Sequence, residues 1–266
     1  MYLPPDANCF LSTVHHCLKS KNYVNLIIGS KQPTPVYLSP SEAAEHCKLG
    51  ASIWKWASTN EGADPDVVVV GIGVEVTFEV IKAVELLKSV QPKLRVRMVN
   101  VADLMVLAAE TTHPHALDNA KFGELFTNDK PLLFNYHGYA TELQGILFGR
   151  SGLHRMLVNG YREEGTTTTP FDMLLRNNVS RYDIATRALQ AAAGNVEAVK
   201  SDLDRSLAEI ESKVKSVREH ISATGTGKFY AHLSAGRPER CKWGDTDTDT
   251  NTSADPDFTY IMAKLD

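Results

Sequence analysis

Residues Val67 to Gly73 read VVVVGIG, four consecutive valines followed by Gly71-Ile72-Gly73. An unbroken β-branched run is the pattern of a strand buried on both faces, because a half-exposed strand alternates apolar with polar residues. Two glycines at its carboxyl end allow a tight turn. The apolar-periodic stretch Val76 to Leu87 then continues the chain as a helix that ends near Val90, with Pro92 as a stop. This is the first β-α unit of a parallel sheet packed between helices. Downstream, Leu94 to Val101 (LRVRMVNV), Pro131 to Tyr136 (PLLFNY) and Met156 to Tyr161 (MLVNGY) read as further strands. The spacing predicts helices over Asp118 to Phe126, through about Phe148, from Thr169-Pro170 onward, from Ser180 to Ala193, and over the charged stretch Asn195 to Ile221.

Upstream, Asp6 can cap a helix over Ala7 to Lys19, with Phe10, Leu11, Val14 and Leu18 on one face. Tyr23 to Ile28 (YVNLII) reads as a strand ending at Gly29-Ser30-Lys31-Gln32-Pro33. This helix-strand pair has no earlier partners and reads as the end of a domain whose beginning lies elsewhere. Ser39-Pro40-Ser41-Glu42 is a capping box with proline at the first helical position, starting a helix to about Leu49. Ile53, Trp54 and Trp56 supply bulky apolar surface, and Asn60 to Pro65 is a turn-rich loop. At the far end, Asp245 to Asp257 (DTDTDTNTSADPD) is polar and low in complexity, as in a mobile tail. The expected division is residues 1–38, 39–222 and 223–266.

The 266 residues suffice for a sizeable core, and 43% hydrophobic with 23% charged residues is ordinary for a globular chain. A formal net charge of −4 argues against a broad nucleic-acid surface. Cys9, Cys17, Cys47 and Cys241 form no C-x-x-C pair, which points to reduced thiols and a cytoplasmic setting rather than zinc. No apolar run is long enough to span a membrane.

Several segments carry residue types that could do chemistry. Gly71-Ile72-Gly73 has Val76 where a dinucleotide fingerprint needs its third glycine, and reads as a close-packed turn. Lys31 follows a predicted strand, where ligands of open α/β sheets bind, but a turn lysine is ordinarily solvated. His113-Pro114-His115 has no obvious third metal ligand and reads as two exposed loop histidines. His137, at a strand end, reads as a histidine hydrogen-bonded to backbone. Gly165 to Thr169 offers hydroxyls and amides at a helix start, read as capping and packing. The Asp245, Asp247, Asp249 ladder fails as a calcium loop, with Thr250 where the glycine belongs and Pro256 where the bidentate carboxylate belongs. Gly227-Lys228 lacks the upstream glycine of a P-loop.

Taken together, YLPPDAN (Tyr2 to Asn8), GSKQP (Gly29 to Pro33), VRMVNVADLM (Val96 to Met105), HPHALD (His113 to Asp118), TNDKPLLFNYHGY (Thr127 to Tyr139) and YREEGTTTTPFDM (Tyr161 to Met173) resemble the phosphoketolases that act on xylulose 5-phosphate and fructose 6-phosphate. The resemblance covers roughly Tyr2 to Ala192. It implies a transketolase-like enzyme with thiamine diphosphate and Mg2+, a ketose phosphate substrate, inorganic phosphate as co-substrate and acetyl phosphate as product. It implies that residues 1–38 end the pyrimidine-binding domain and that 39–222 form the C-terminal domain, a three-layer α/β/α fold with a mixed, mostly parallel five-stranded sheet. The cofactor, the metal and the catalytic residues would then be held by the rest of the subunit, in a homo-oligomer, and this chain alone would be inactive. Only Lys31 is carried over as a substrate-binding residue. Ser30 stands in this chain between Gly29 and the lysine that binds the substrate phosphate in the family. A non-catalytic nucleotide-binding, regulatory or oligomerisation domain is the alternative.

Overall fold

The computed structural model describes residues 1–30, 34–162, 165 and 167–225. The chain opens with α1 (Ala7–Lys19), then α2 (Pro40–Leu49), and enters the sheet through a short strand, β1 (Ala51–Ile53). The valine run forms β2 (Val67–Ile72) and leads into α3 (Val74–Val90), followed by β3 (Val96–Val101) and α4 (Asn119–Phe126). Then come β4 (Leu132–Tyr136), α5 (Ala140–Leu147), β5 (Met156–Gly160), α6 (Pro170–Arg176) and α7 (Arg181–Ala193). The described chain closes with α8 (Glu197–Ser201) and α9 (Leu203–Thr224).

The sheet order is β1-β3-β2-β4-β5, with β1 antiparallel to β3 and every other pair parallel. This is the mixed, mostly parallel five-stranded sheet expected. Alternation along β2 sends Val67 and Val69 into a core shared with α3, α7 and α9, while Val68, Val70 and Ile72 enter a second core with α4 and α5. All four valines are fully buried, each contributing roughly 1.5–2 kcal/mol of hydrophobic stabilisation. Helices therefore cover both faces, which is why this strand reads as a continuous apolar run.

The two glycines after the valines are demanded by packing. A Cβ on Gly71 would lie 3.1 Å from Thr77 Cα. Gly73 adopts φ +100°, and a Cβ there would lie 2.6 Å from His137 Cβ. Gly73→Ala should therefore cost about 2–3 kcal/mol from left-handed strain and overlap. A thermal midpoint within a degree of the parent would contradict this.

Two readings of the sequence are corrected. Tyr23 to Ile28 is no strand: its pairing is a lone bridge between Ile27 and Tyr2, and Tyr23, Val24 and Leu26 are exposed. Its β-branched residues have no neighbouring ladder to complete, and propensity without a partner does not make a strand. The fifth strand is instead Ala51–Ile53, in register with Val99 to Val101. The stretch from Asn195 is broken at Asp202, dividing it into α8 and α9 rather than one helix. Beyond the break, Leu203, Leu207, Ile210, Val214, Val217 and Ile221 form the stripe by which α9 joins the core. The polar tail read over 223–266 lies outside the described residues from 226 onward.

Asp6 ties the first segment to the domain. Its Oδ1 accepts from Cys9 N, capping α1, and its Oδ2 accepts from Tyr37 N and Leu38 N at 2.8 and 3.0 Å. Asn8 Nδ2 adds a bond to Leu38 O. The polar residues of the PPDAN stretch thus fasten α1 to the connector before α2. Asp6→Ala leaves three N–H groups of a buried junction without their acceptor and should cost about 2–3 kcal/mol in urea unfolding. A loss below 0.5 kcal/mol on that order-of-magnitude scale would show that water replaces the carboxylate freely.

Candidate functional site

In a parallel sheet of this order, ligands bind outside the carboxyl ends of strands where the chain direction reverses across the sheet. Here that point lies between β2 and β4, because α3 leaves β2 onto one face and α5 leaves β4 onto the other. The first residues of the chain run over this edge. Leu104 N donates to Met1 O, Leu3 N donates to Ala102 O, and Ile28 N donates to Tyr2 O. The segment Gly29-Ser30 is thereby laid against the first turn of α3.

Four side chains from four segments meet there. Ser30 Oγ donates to Glu75 Oε1 at 2.6 Å. Glu75 Oε2 lies 2.9 Å from His137 Nδ1, on the residue that follows β4. The His137 ring stands edge-on to Tyr161, just past β5, with centroids 4.7 Å apart. Gly73 caps α3 without a side chain, so Glu75 in the first helical turn places its charge where the N-terminal dipole favours an anion. Burial works against ionisation of Glu75, but the hydrogen bond and charge of His137 and the Ser30 hydroxyl outweigh it and hold the carboxyl at about 2. The strand-end position of His137 predicts a bond to backbone. Its backbone N–H does donate to Ile72 O, but the ring meets a carboxylate.

A second group lies at the end of β3. Asp103 accepts from Met105 N through Oδ1, and its Oδ2 lies 2.6 Å from His115 Nδ1. His113 and His16 stack edge-on against His115, and Tyr2 packs beside His16. Burial and the Asp103 charge push the Tyr2 hydroxyl up to about 12. The two loop histidines are thus half-buried rather than exposed. Among the described residues no group of three or more histidine, cysteine or acidic side chains is placed to hold a metal ion.

A third feature is a row of polar side chains inside the sheet, which sequence reasoning missed. Ser52, Asn100, Gly71, Asn135 and Asn159 occupy one register across all five strands. Ser52 Oγ lies 2.7 Å from His46 Nδ1, and His46 Nε2 lies 2.8 Å from Asn100 Oδ1. Asn100 Nδ2 donates to Gly71 O and Thr77 Oγ1. Asn159 Nδ2 donates to Asn135 Oδ1, and Arg187 donates to Asn159 Oδ1. Burial lowers His46 to about 4, so it is neutral at pH 7 and takes one donor and one acceptor role in this chain. The signal was present as a single asparagine near the end of each of three mostly apolar strands.

Lys31 lies outside the described residues, directly after Ser30. The Gly71–Gly73 turn is filled: His137 and Leu3 crowd the position a Cβ would take at Gly73. This leaves no open glycine cradle for a nucleotide phosphate. Thr169 caps α6 by accepting from Asp172 N, and Thr168 Oγ1 donates to Asp172. The hydroxyls of Thr168 and Thr169 are therefore engaged at the start of α6. The Asp245, Asp247, Asp249 ladder and Gly227-Lys228 lie outside the described residues. No helix among the described residues is long and apolar enough to cross a membrane.

The sheet order and the helices on both faces define an α/β domain with a mixed, mostly parallel five-stranded sheet. Solved structures of that shape include a transketolase from Leishmania mexicana, at TM-score 0.50 and 16% identity over 72% of this chain and 25% of that one. A split-gene transketolase, an inactive β4 tetramer, matches at TM-score 0.50 and 16% identity over 72% of this chain and 57% of its own. A family model described as the XFP C-terminal domain matches residues 31–229. The chain belongs to this family, as the C-terminal domain of a phosphoketolase-family protein. It is 55% identical over 195 residues to a probable phosphoketolase of Schizosaccharomyces pombe, covering 73% of this chain and 23% of that protein. It is 46% identical over 220 residues to one of Rhodopseudomonas palustris strain HaA2, covering 83% of this chain and 28% of that protein. The chain thus spans about a quarter of the length of these curated relatives.

Proposed function

We propose that the chain is the C-terminal portion of a thiamine-diphosphate-dependent phosphoketolase. The whole protein would cleave xylulose 5-phosphate, fructose 6-phosphate or both with inorganic phosphate, giving acetyl phosphate and an aldose phosphate. The observation that carries this reading is the 55% identity to a probable phosphoketolase over 195 residues. As a carbon–carbon lyase of the aldehyde-lyase kind, the full protein would act as a homo-oligomer, in the cytoplasm.

The described residues do not fit the cofactor itself. The β2–α3 turn is crowded by His137 and Leu3, and the first turn of α3 already carries the Glu75 carboxylate. A diphosphate brought there would meet a negative charge, and no cluster of metal ligands stands nearby among the described residues. Thiamine diphosphate and Mg2+ would therefore be gripped by the rest of the subunit. In this reading residues 1–38 close the pyrimidine-binding domain, and residues 39–222 support subunit assembly.

Lys31 is the one residue of this chain that would touch substrate. Its ammonium would neutralise the ketose phosphate and so help fix the distance from the reacting carbonyl to the cofactor. The test is the product of the full-length protein. With thiamine diphosphate, Mg2+, inorganic phosphate and xylulose 5-phosphate it should form acetyl phosphate. Ketol transfer to an aldose acceptor without acetyl phosphate would make it a transketolase instead.

A further inference from the structure

Two thiols 38 residues apart in sequence meet between α1 and α2, and the proposed function above leaves them without a role. Cys9, in the first turn of α1, is buried, and Cys47, near the end of α2, is partly exposed. The two helices pack directly on each other. In its thiol form Cys47 Sγ donates to Cys9 O at 3.4 Å, which brings it within reach of the Cys9 side chain. The Cys9 thiol in turn donates to Cys47 Sγ. Thr13 Oγ1, one turn further along α1, donates to the same sulfur at 3.7 Å, and the Ser12 hydroxyl adds another bond. Asp6 and Asn8 fasten the start of α1 to the connector at Tyr37 and Leu38, so the two sulfurs are held together from behind. Donors converging on one sulfur favour its thiolate. These bonds, that of Cys9 foremost, lower the Cys47 thiol against burial and the charge of Asp6. Cys9 moves the opposite way: its bond to Cys47, burial and the Asp6 charge all push its thiol up.

We propose that Cys47 is a reversible oxidation site for hydroperoxides, with Cys9 as its resolving thiol, and that the product is a disulfide joining α1 to α2. The roles follow from exposure. Attack needs a sulfur that the oxidant can reach, and a buried neighbour acts only on what forms beside it. The Cys47 thiolate attacks one oxygen of the hydroperoxide, the O–O bond breaks, and the alkoxide leaves as an alcohol with the thiol proton. Cys47 is then a sulfenic acid. The Cys9 sulfur forms the S–S bond as the S–O bond breaks, and the hydroxide leaves with the Cys9 proton as water. The pair of thiols gives up two electrons and two protons, and the hydroperoxide is reduced to alcohol and water. The sulfurs close to about 2.05 Å, and the bridge ties residues 1–38 to residues 39–222. A thiol reductant restores both cysteines. No C-x-x-C spacing announces the pair, because its members lie on separate helices.

The experiment is differential alkylation and peptide mass mapping of the full-length protein treated with hydrogen peroxide, with Cys9→Ser and Cys47→Ser beside the parent. In the parent, a peptide linked through Cys9 and Cys47 should form and should vanish with dithiothreitol. Cys47 should lose its free thiol about tenfold faster than Cys17, which is also partly exposed but whose thiol is pushed up by burial. In Cys9→Ser, Cys47 should stop at a sulfenic acid that dimedone traps, and go on to the sulfinic acid with longer treatment. In Cys47→Ser, Cys9 should keep its thiol. The proposal falls if Cys47 of the parent reaches the sulfinic acid with no linked peptide, or if it pairs with Cys241 instead. It falls equally if Cys9 oxidises as fast in Cys47→Ser as in the parent, or if Cys47 outlasts Cys17 as a free thiol. Should Cys9→Ser disturb α1, the linked peptide of the parent decides alone.

Discussion

Replacing Glu79 by alanine should destabilise the chain by about 3–5 kcal/mol. Glu79 lies on α3 with its side chain fully buried, and its partner Arg181 begins α7. Three bonds join them: Arg181 N and Nε donate to Oε2 at 2.6 and 3.0 Å, and Nη2 donates to Oε1 at 2.6 Å. The guanidinium also lies over the Phe78 and Phe171 rings. Removing the carboxylate strands a cation against apolar surface, and the desolvation cost of that cation makes the loss large. The pair itself adds little net stability, because both ions were taken out of water to form it. The double variant Glu79→Met/Arg181→Met should therefore recover most of the loss of Glu79→Ala. Urea unfolding with a common slope measures both. A single variant within 1 kcal/mol of the parent, on that order-of-magnitude scale, would mean that water reaches Arg181 in the folded state.

The second large effect is on substrate. In the full-length protein, Lys31→Ala should raise KM for ketose phosphates on the order of 10- to 100-fold, the value of about 1.5–3 kcal/mol for a hydrogen bond to a charged group. Its effect on thiamine diphosphate affinity should be under about threefold, since the cofactor is gripped elsewhere in the proposed arrangement. Lys31→Arg should recover only part of the loss, because a planar fork does not reproduce a compact ammonium at the same distance. Steady-state KM and cofactor titration separate the two affinities. Equal losses in both would place Lys31 on the cofactor rather than the sugar phosphate.

The core of the fold was legible because its signals are local. Four valines in a row cannot be half-exposed, and Ser39-Pro40-Ser41-Glu42 and Ser180 with Asp183 announce their helix starts through bonds within one turn. What was not legible depends on partners distant in sequence. Ala51–Ile53 is too short to declare itself, and it is a strand because β3 offers an edge. Tyr23 to Ile28 has better strand residues and no such edge, so it stays irregular. The asparagine row becomes visible only when the strands are placed side by side. At the candidate site, Ser30, Glu75, His137 and Tyr161 come from four segments. Singly each has an ordinary explanation, as a turn serine, a helix-start acid, a strand-end histidine and a strand-end tyrosine. Their meeting is a consequence of the β2–β4 reversal and of the first segment lying over it.

In the proposed arrangement this domain would support the reaction and contribute a phosphate-binding lysine, while the rest of the subunit would carry the chemistry. The most direct test is acetyl phosphate formation from xylulose 5-phosphate by this chain alone, beside the full-length protein, with thiamine diphosphate, Mg2+ and inorganic phosphate supplied to both. Product is expected from the full-length protein and none from this chain. Product from this chain alone would place a working cofactor site within its 266 residues and overturn the assignment of the cofactor to the rest of the subunit.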